Sequence, residues 1–283
     1  MIDKNNSDKC IGDWSDNMRA IPREFLKFAL FTVGNRKERT GSFKSQELFR
    51  QNSGDGNETI INVSGEELRQ DDLDVYLEIL HVYRKIPVGE LFTFKRQDLI
   101  KSLGWRNESK YRTKLAECVE RLCGTQVSGQ IVRFDKETGV STQYNFDCRL
   151  ISEKIIKTTT EQGAIKSKKQ WSVVIPHSMK LLFDKNGYAR IDIKHRQALG
   201  NNVLAKFLHA YLCSNKYDAR FMPTAEEIMQ LTNSAYQDVR RFKARSLKDA
   251  LAVINSADIG YQVCMNESTG KLSKESSKLI TKK

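Results

Sequence analysis

One order of elements is written twice along this chain: an apolar-faced helix, a short helix, a turn, a longer helix, then β-like segments. In the first half Leu73, Tyr76, Leu77, Leu80 and Tyr83 recur at spacings of three and four, which places them on one face of a helix. Ser64-Gly-Glu-Glu67 has the spacing of a capping box that would open that helix, and Pro87 and Gly89 would end it. A short helix fits residues 94–103, with Leu99, Ile100 and Leu103 apolar and Gly104 as its stop. Asn107 is placed to cap a longer helix, whose core face is Leu115, Val119 and Leu122.

The second half repeats the plan. Residues 202–215 carry Val203, Leu204, Phe207, Leu208, Tyr211 and Leu212 at helical spacing. Thr224-Ala-Glu-Glu227 is a second capping box and opens a short helix to Leu231. Ser234-Ala-Tyr-Gln237 is a third, and predicts a long helix to Asn255 with Val239, Phe242, Leu247, Leu251 and Ile254 facing the core. Leu115, Val119 and Leu122 have the same spacing as Leu247, Leu251 and Ile254. Leu103 precedes Leu115 by 12 residues and Leu231 precedes Leu247 by 16, so the halves differ there by one helical turn.

Segments 130–134, 143–146, 149–156 and 171–175 read as strands, with Asp135-Lys-Glu-Thr-Gly139 as a hairpin turn. Segment 259–264 followed by Gly270 reads as a second hairpin. Helix, short helix, turn and longer helix is the order of a helix-turn-helix, and an added hairpin makes a winged helix. The expected fold class is therefore α+β, mostly α: two tandem winged-helix domains, each a three-helix helix-turn-helix core with a β-hairpin wing. The expected division is a flexible N-terminal segment 1–18, a first winged helix 19–190, and a second 191–283 with a basic C-terminal tail.

Charge narrows the partner. Lys and Arg number 47 against 35 Asp and Glu, a net charge of +12, which favours a polyanion and nucleic acid first. The cations are not evenly spread. Tyr236, Gln237, Arg240, Arg241, Lys243 and Arg245 occupy the last long helix, where a recognition helix presents side chains to major-groove base edges. Arg to guanine and Gln to adenine are the pairings that read sequence. The matching helix of the first half offers Asn107, Ser109, Lys110, Arg112 and Lys114, with acids among them, so phosphate positioning is its expected task. Lys166, Lys168 and Lys169 fall in a polar turn between two β-segments, as a wing tip would. Lys271, Lys274, Lys278, Lys282 and Lys283 read as an electrostatic tail.

Other classes find little support. No apolar run approaches the ~18 residues of a membrane span, and the N-terminus lacks the apolar core of a signal peptide, so a cytoplasmic protein is expected. Six dispersed cysteines without C-x-x-C fit a reducing compartment, and four histidines lack zinc spacing, so neither metal nor cofactor is expected. Asp71-Asp72-Leu73-Asp74 could be read as a metal-binding cluster, but acids on the first turn of a helix are favoured by its dipole alone. There is no phosphate-binding G-x-x-x-x-G-K-[ST] and no H-x-H pair, and neither Tyr188 nor Tyr236 has the surroundings of a covalent nucleophile. The chain is not expected to be an enzyme.

Four segments resemble the TrfA family of plasmid replication initiators: Trp14 with Arg19-Ala-Ile-Pro22 and Phe28-Ala-Leu-Phe-Thr-Val33; Gly65-Glu-Glu-Leu-Arg-Gln-Asp-Asp-Leu-Asp-Val75 with Leu80-His81 and Arg84; Ile191-Asp192, Arg196 and Leu199 with Leu204-Ala-Lys-Phe-Leu-His209; and Val239-Arg-Arg-Phe-Lys243 with Leu247 and Ala250-Leu251. The block from Gly65 to Arg84 is the most specific. The resemblance implies a tandem winged-helix initiator that binds direct repeats (iterons) in double-stranded origin DNA and helps open the origin. It also implies recruitment of host initiator, replicative helicase and polymerase clamp, and a monomer–dimer equilibrium in which the monomer acts. Clamp-binding peptides find no full match; Phe28-Ala-Leu-Phe31 and Gln46-Glu-Leu-Phe49 come nearest and read as core packing. Whether single-stranded origin DNA is also held stays open. The alternative is a winged-helix transcriptional repressor that binds an operator as a dimer. A primase or nuclease would require divalent-metal activity that dies with Asp72→Asn.

Overall fold

The computed structural model describes residues 10–27, 30–34, 43–52, 58–135, 137–159, 168–183, 187–214, 222–232 and 234–276, with only the backbone of 43–52, 168, 169 and 276. In chain order its elements are β1 (Met18–Pro22), α1 (Arg23–Lys27), β2 (Phe43–Asn52), β3 (Glu58–Gly65), α2 (Gln70–Tyr83), β4 (Phe92–Lys95), α3 (Arg96–Ser102) and α4 (Ser109–Gly124). There follow β5 (Gln126–Phe134), β6 (Ser141–Arg149), β7 (Glu153–Thr159), β8 (Lys168–Val174), α5 (Met179–Phe183), β9 (Tyr188–Asp192), α6 (Ile193–Ala198) and α7 (Val203–Ser214). The chain closes with α8 (Ala225–Leu231), α9 (Val239–Phe242), a π-helical turn (Lys243–Leu247), α10 (Lys248–Ser256), β10 (Tyr261–Met265) and β11 (Leu272–Ser276). The architecture is α+β with open antiparallel sheets. Strands contribute far more than a mostly helical chain would have.

The chain divides into two compact units, Met1–Trp14 with Thr40–Gly187, and Ser15–Arg39 with Tyr188–Lys283. Residues 19–39, placed in the first domain by the sequence reading, thus group with the C-terminal unit. Residues 10–18 are not a flexible leader. Ile11 and Trp14 are buried, the Trp14 indole donates to His81 Nδ1 at 3.2 Å and stacks on Phe183, and Met18 opens β1. Residues 1–9 lie outside the described residues.

In the first unit α2 is buried nearly all round, with Val75 and Ile79 joining the expected face. It does not begin at the Ser64 box. Ser64 pairs with Gln126 in the β3–β5 ladder, and the helix starts after Arg69, whose backbone N–H donates to Asp72 Oδ2 at 2.8 Å. A sheet claimed the serine, and the acid three residues after Arg69 took over the cap. The α3 helix ends at Ser102, and Gly104 follows with φ +69°, where a side chain would be strained.

The hairpin expected to follow the three helices is β5–β6, and its turn forms as read: Asp135 Oδ1 accepts from the Glu137 N–H at 2.9 Å. It belongs to another sheet, however. The order is β2-β3-β5-β6, antiparallel, with Ile61, Val63, Val127 and Ile131 buried on its inner face. Gly129 permits the close approach of β5 to β3, since a Cβ there would collide with the Ile60 carbonyl oxygen. The strand leading into α3, β4, pairs instead with β8, and β8 with β7. Across that ladder Phe94 opposes Trp171, and the hydroxyls of Thr93 and Ser172 lie 2.7 Å apart.

In the second unit β1 pairs antiparallel with β9, and α1 packs on α7. Thr224 caps α8 as read: its Oγ1 accepts the Glu227 N–H at 3.2 Å, and the Glu227 carboxylate accepts the Thr224 N–H at 2.7 Å. Thr224 also bridges Lys271, so the residue before α8 meets the last hairpin much as β4 meets β8. The third box does not open a helix. Ser234 Oγ accepts from the Tyr236 N–H in a turn, and Asp238, a charged acceptor, caps α9 through the Arg240 N–H at 2.8 Å. Phe242, Leu247, Ala250 and Ile254 are buried beside Leu208, Ile228 and Val263, while Val239 and Leu251 pack partly buried against them.

The stretch from Phe242 to Leu247 has a physical explanation. Five residues along an α-helix turn a side chain about 140° off its starting face. The π turn between them closes i→i+5 and brings both into the core. Leu30 and Phe31 are buried; Phe28 and Ala29, and the side chains of 46–49, lie outside the described residues.

Candidate nucleic-acid interface

Among the described residues, the cationic side chains singled out above fall on α9 and the π turn, on α4, on β8 and in the β10–β11 hairpin. In the second unit Asp238 fixes the start of α9, and the helix then presents Arg240 and Arg241 to solvent. Gln237 is exposed just before the cap and Arg245 is exposed in the π turn. Among the described residues no ion pair engages Arg240, Arg241 or Arg245. Four flexible, uncompensated donors on one short stretch form a surface ready for an acceptor-rich partner. Lys243 differs. It is half-buried and reaches back over the β10–β11 turn, so close that a Cβ on Gly270 would lie 2.8 Å from its Nζ. Tyr236 is also half-buried: its ring meets Phe242 edge-on and its hydroxyl accepts from Ser246 Oγ at 3.3 Å. These two hold the helix in place as much as they offer contacts.

In the first unit the start of α4 has no acid in its first turn, and Asn107, Ser109 and Lys110 are exposed. Lys110 Nζ lies over the Tyr111 ring and Lys114 Nζ over the Trp105 ring, each 5.0 Å from the centroid. Lys114 also sits 3.4 Å from Asp71 Oδ2, so part of its charge is spent inside the protein. Arg112 is half-buried, and its Nη2 donates to the Asn107 carbonyl at 3.3 Å. Arg96, on α3, was not singled out from the sequence because segment 94–103 was read only for its apolar face. Its Nε and that of Arg112 are both cut off from solvent without a hydrogen-bond partner among the described residues.

Lys168 and Lys169 are strand residues and not turn residues: they open β8, opposite Thr159 and Thr158. Lys166 lies outside the described residues. The expected basic tail is partly a hairpin. Lys271 bridges Thr224, and Lys274 in β11 lies 3.8 Å over the Tyr261 ring. Lys278, Lys282 and Lys283 lie outside the described residues.

The acidic cluster has a structural occupation. Oxygens of Asp71 and Asp72 and the Cys118 sulfur lie within 4.8 Å of one another. Asp72, fully buried, accepts from Arg121 Nη2 at 2.9 Å and from the Arg69 N–H, while Lys114 faces Asp71. Burial, then the two aspartates, push the Cys118 thiol far up, so it stays protonated. These groups satisfy one another, which is how a buried acid pair is kept in a core. Among the described residues no helix is long and apolar enough to cross a membrane.

Comparison with known proteins bears on this arrangement. The family model described as TrfA protein matches residues 3–226. The plasmid replication initiator protein TrfA of Escherichia coli is 33% identical over 137 residues, which make up 48% of this chain. The match spans 35% of that relative's length. Crystals of selenomethionine derivatives of domains 2 and 3 of RctB gave a structure that superposes with a TM-score of 0.54 at 16% identity, covering 89% of this chain and 96% of that one. A second crystal structure of RctB domains 2–3 gives 0.51 at 14% identity, covering 88% and 96%. At such identities the likeness is one of fold.

Proposed function

We propose that this chain, which belongs to the TrfA protein family, is a plasmid replication initiator that binds direct repeats in double-stranded origin DNA. In this reading each unit is a winged helix. The second unit places α9 in a major groove and the first places α4, with β7–β8 and β10–β11 as their wings. Arg240 and Arg241, with Gln237, read or anchor at base edges. Lys110, Arg112, Lys168 and Lys169 engage phosphates, and counterion release supplies affinity. The initiator has no catalytic step of its own and acts in the cytoplasm. It helps open the origin and recruits host initiator, replicative helicase and polymerase clamp. Its active form is the monomer, in equilibrium with a dimer.

The observation that carries the reading is the exposed set Gln237, Arg240, Arg241 and Arg245, on and flanking α9 after the capped α8, with no ion pair to the three arginines among the described residues. The test is a footprint of the purified chain on its own plasmid's origin, with the mass of the complex measured. Protection at regular spacing over direct repeats, one chain per repeat, is expected. Protection of one inverted repeat by a dimer would favour a repressor. Absence of sequence-specific protection at physiological salt would overturn the initiator reading.

A further inference from the structure

Strand register in the first unit gathers three polar side chains that the sequence scatters. In sheet β4-β8-β7, Lys95 pairs with Gln170 and Gln170 with Lys157, so the three form one row across it. Neighbouring strands lie about 4.8 Å apart, which sets the two lysines roughly 10 Å apart with the glutamine between them. In β8, Trp171 and Val173 are buried, so alternation gives Gln170 and its row to the opposite face. Lys95, Gln170 and Lys157 are all exposed, and none of their side chains makes an ion pair or hydrogen bond among the described residues.

The next row on that face behaves otherwise. Thr93, Ser172 and Ile155 stand in register, but the Thr93 and Ser172 hydroxyls lie 2.7 Å apart and satisfy each other, and Ile155 offers only hydrocarbon. Lys154, on the other face of β7, is spent on Glu120. The sole acid in the three strands, Glu153, stands four residues from Lys157, about 13 Å along β7. The free polar ends of this face are thus concentrated in one row, and the charge of that row is positive.

Two ammonium groups flanking an amide suit a partner with repeated anionic oxygens. Consecutive phosphates of a nucleic-acid backbone supply them, within reach of two flexible four-carbon stems. Register also says where on the fold this partner lies. Lys95 is the residue at which β4 gives way to α3, and α3 packs on α4. A phosphate held at Lys95 therefore stands at the start of the helix pair whose second member carries the exposed Asn107, Ser109 and Lys110. We infer that Lys95, Gln170 and Lys157 form a contact row for the phosphate backbone of duplex DNA, so that the outer face of this sheet lies against the duplex. The inference rests on the DNA-binding reading above and adds β4 and the sheet face to it.

The test uses the full chain and a short mixed-sequence duplex, whose constant feature is its phosphate backbone, titrated over a salt series. Lys95→Gln and Lys157→Gln are each expected to weaken binding roughly fivefold and to lower the salt slope by about one. Gln170→Ala is expected to weaken binding about twofold with the slope unchanged, because the amide displaces no counterion. Lys85→Gln, at an exposed lysine after α2, is the control and is expected to change neither. Lys95→Arg and Lys157→Arg keep the charge and are expected to retain both affinity and slope. Unchanged affinity and slope in Lys95→Gln and Lys157→Gln would overturn the row while leaving DNA binding by wild type intact. An equal loss in Lys85→Gln would reduce the effect to net charge and overturn it, as would arginine variants as weak as the glutamine ones. A loss confined to the separated single strands would take the contact off the duplex and overturn it too. Wild type that binds no duplex even at low salt would remove the DNA-binding reading itself.

Discussion

Arg241 and Lys168 both add positive charge, but they stand on different elements and are expected to act differently. Arg241 is exposed on a helix aimed by its cap, so Arg241→Ala is expected to cost about 1–3 kcal/mol on the cognate repeat and to flatten the preference over scrambled DNA. Lys168 begins a hairpin strand, so Lys168→Ala is expected to weaken all duplexes alike and to reduce the salt slope by about one. Parallel titrations against cognate and scrambled duplexes separate the two, and an equal uniform loss from both would contradict the division. His209 makes a different kind of prediction. It is buried beside Tyr261, and burial first, then Arg196, His195 and Lys274, lower its pKa to about 3. The unfolded chain therefore takes up a proton near pH 6.5 that the folded chain refuses. Stability contributed by the neutral ring is complete above that pH and falls by about 1.4 kcal/mol per pH unit below it, until the folded pKa is reached. Urea melts between pH 7 and pH 5 on wild type and His209→Gln are expected to show that slope in the first and its loss in the second.

At the scale of elements, the π turn behaves as one residue too many in a helix. If so, deleting Ala244 leaves Phe242 and the leucine now at 247 four apart, on one α-helical face, and the unit is expected to stay folded. Deleting Ala116 from α4 is the control, since it swings Leu115 about 100° away from Val119 and Leu122. That variant is expected to lose several kcal/mol in thermal or urea melts. Equal damage from both deletions would contradict the account. The same elements show what could be read from sequence. Helical spacing found α2, α4 and α7, because those faces are decided by neighbours three and four residues away. The Thr224 box was legible and the Ser64 box misleading for one reason: a cap reports local compatibility, and only the pairing of Ser64 with Gln126, sixty-odd residues on, decides against it. Strands β2 and β3 were passed over although they pair with each other across a short connection; only the second partner of β3, β5, is as remote. Lys114 was taken as a free cation because nothing near it in sequence announces Asp71. Lys95 was missed for the converse reason: a segment chosen for its apolar face hides a lysine whose meaning depends on Gln170 and Lys157.

Over the whole molecule, the second unit joins an early segment, Ser15–Arg39, to the C-terminal stretch Tyr188–Lys283. Ala20, Ile21, Phe25 and Leu26 are buried, and β1 and α1 pack with β9 and α7. A fragment of residues 191–283, cut where the sequence placed its boundary, loses those side chains, at about 1.5–3 kcal/mol for each of the larger ones. It is expected to show broad, non-cooperative urea unfolding, whereas residues 15–39 joined by a flexible linker to 188–283 are expected to unfold in one sharp step. A sharp transition in the shorter fragment would show that β1 and α1 are dispensable. The pairing of Met18 with Asp192 also sets an order of events during synthesis. Strand β1 leaves the ribosome before any residue of its partner has been translated, while β2 to α5 can assemble from consecutive, newly emerged chain. For most of translation, then, one sheet edge waits without its mate, and that interval is when a nascent chain of this topology is open to a chaperone or to pairing with its neighbour on the same message.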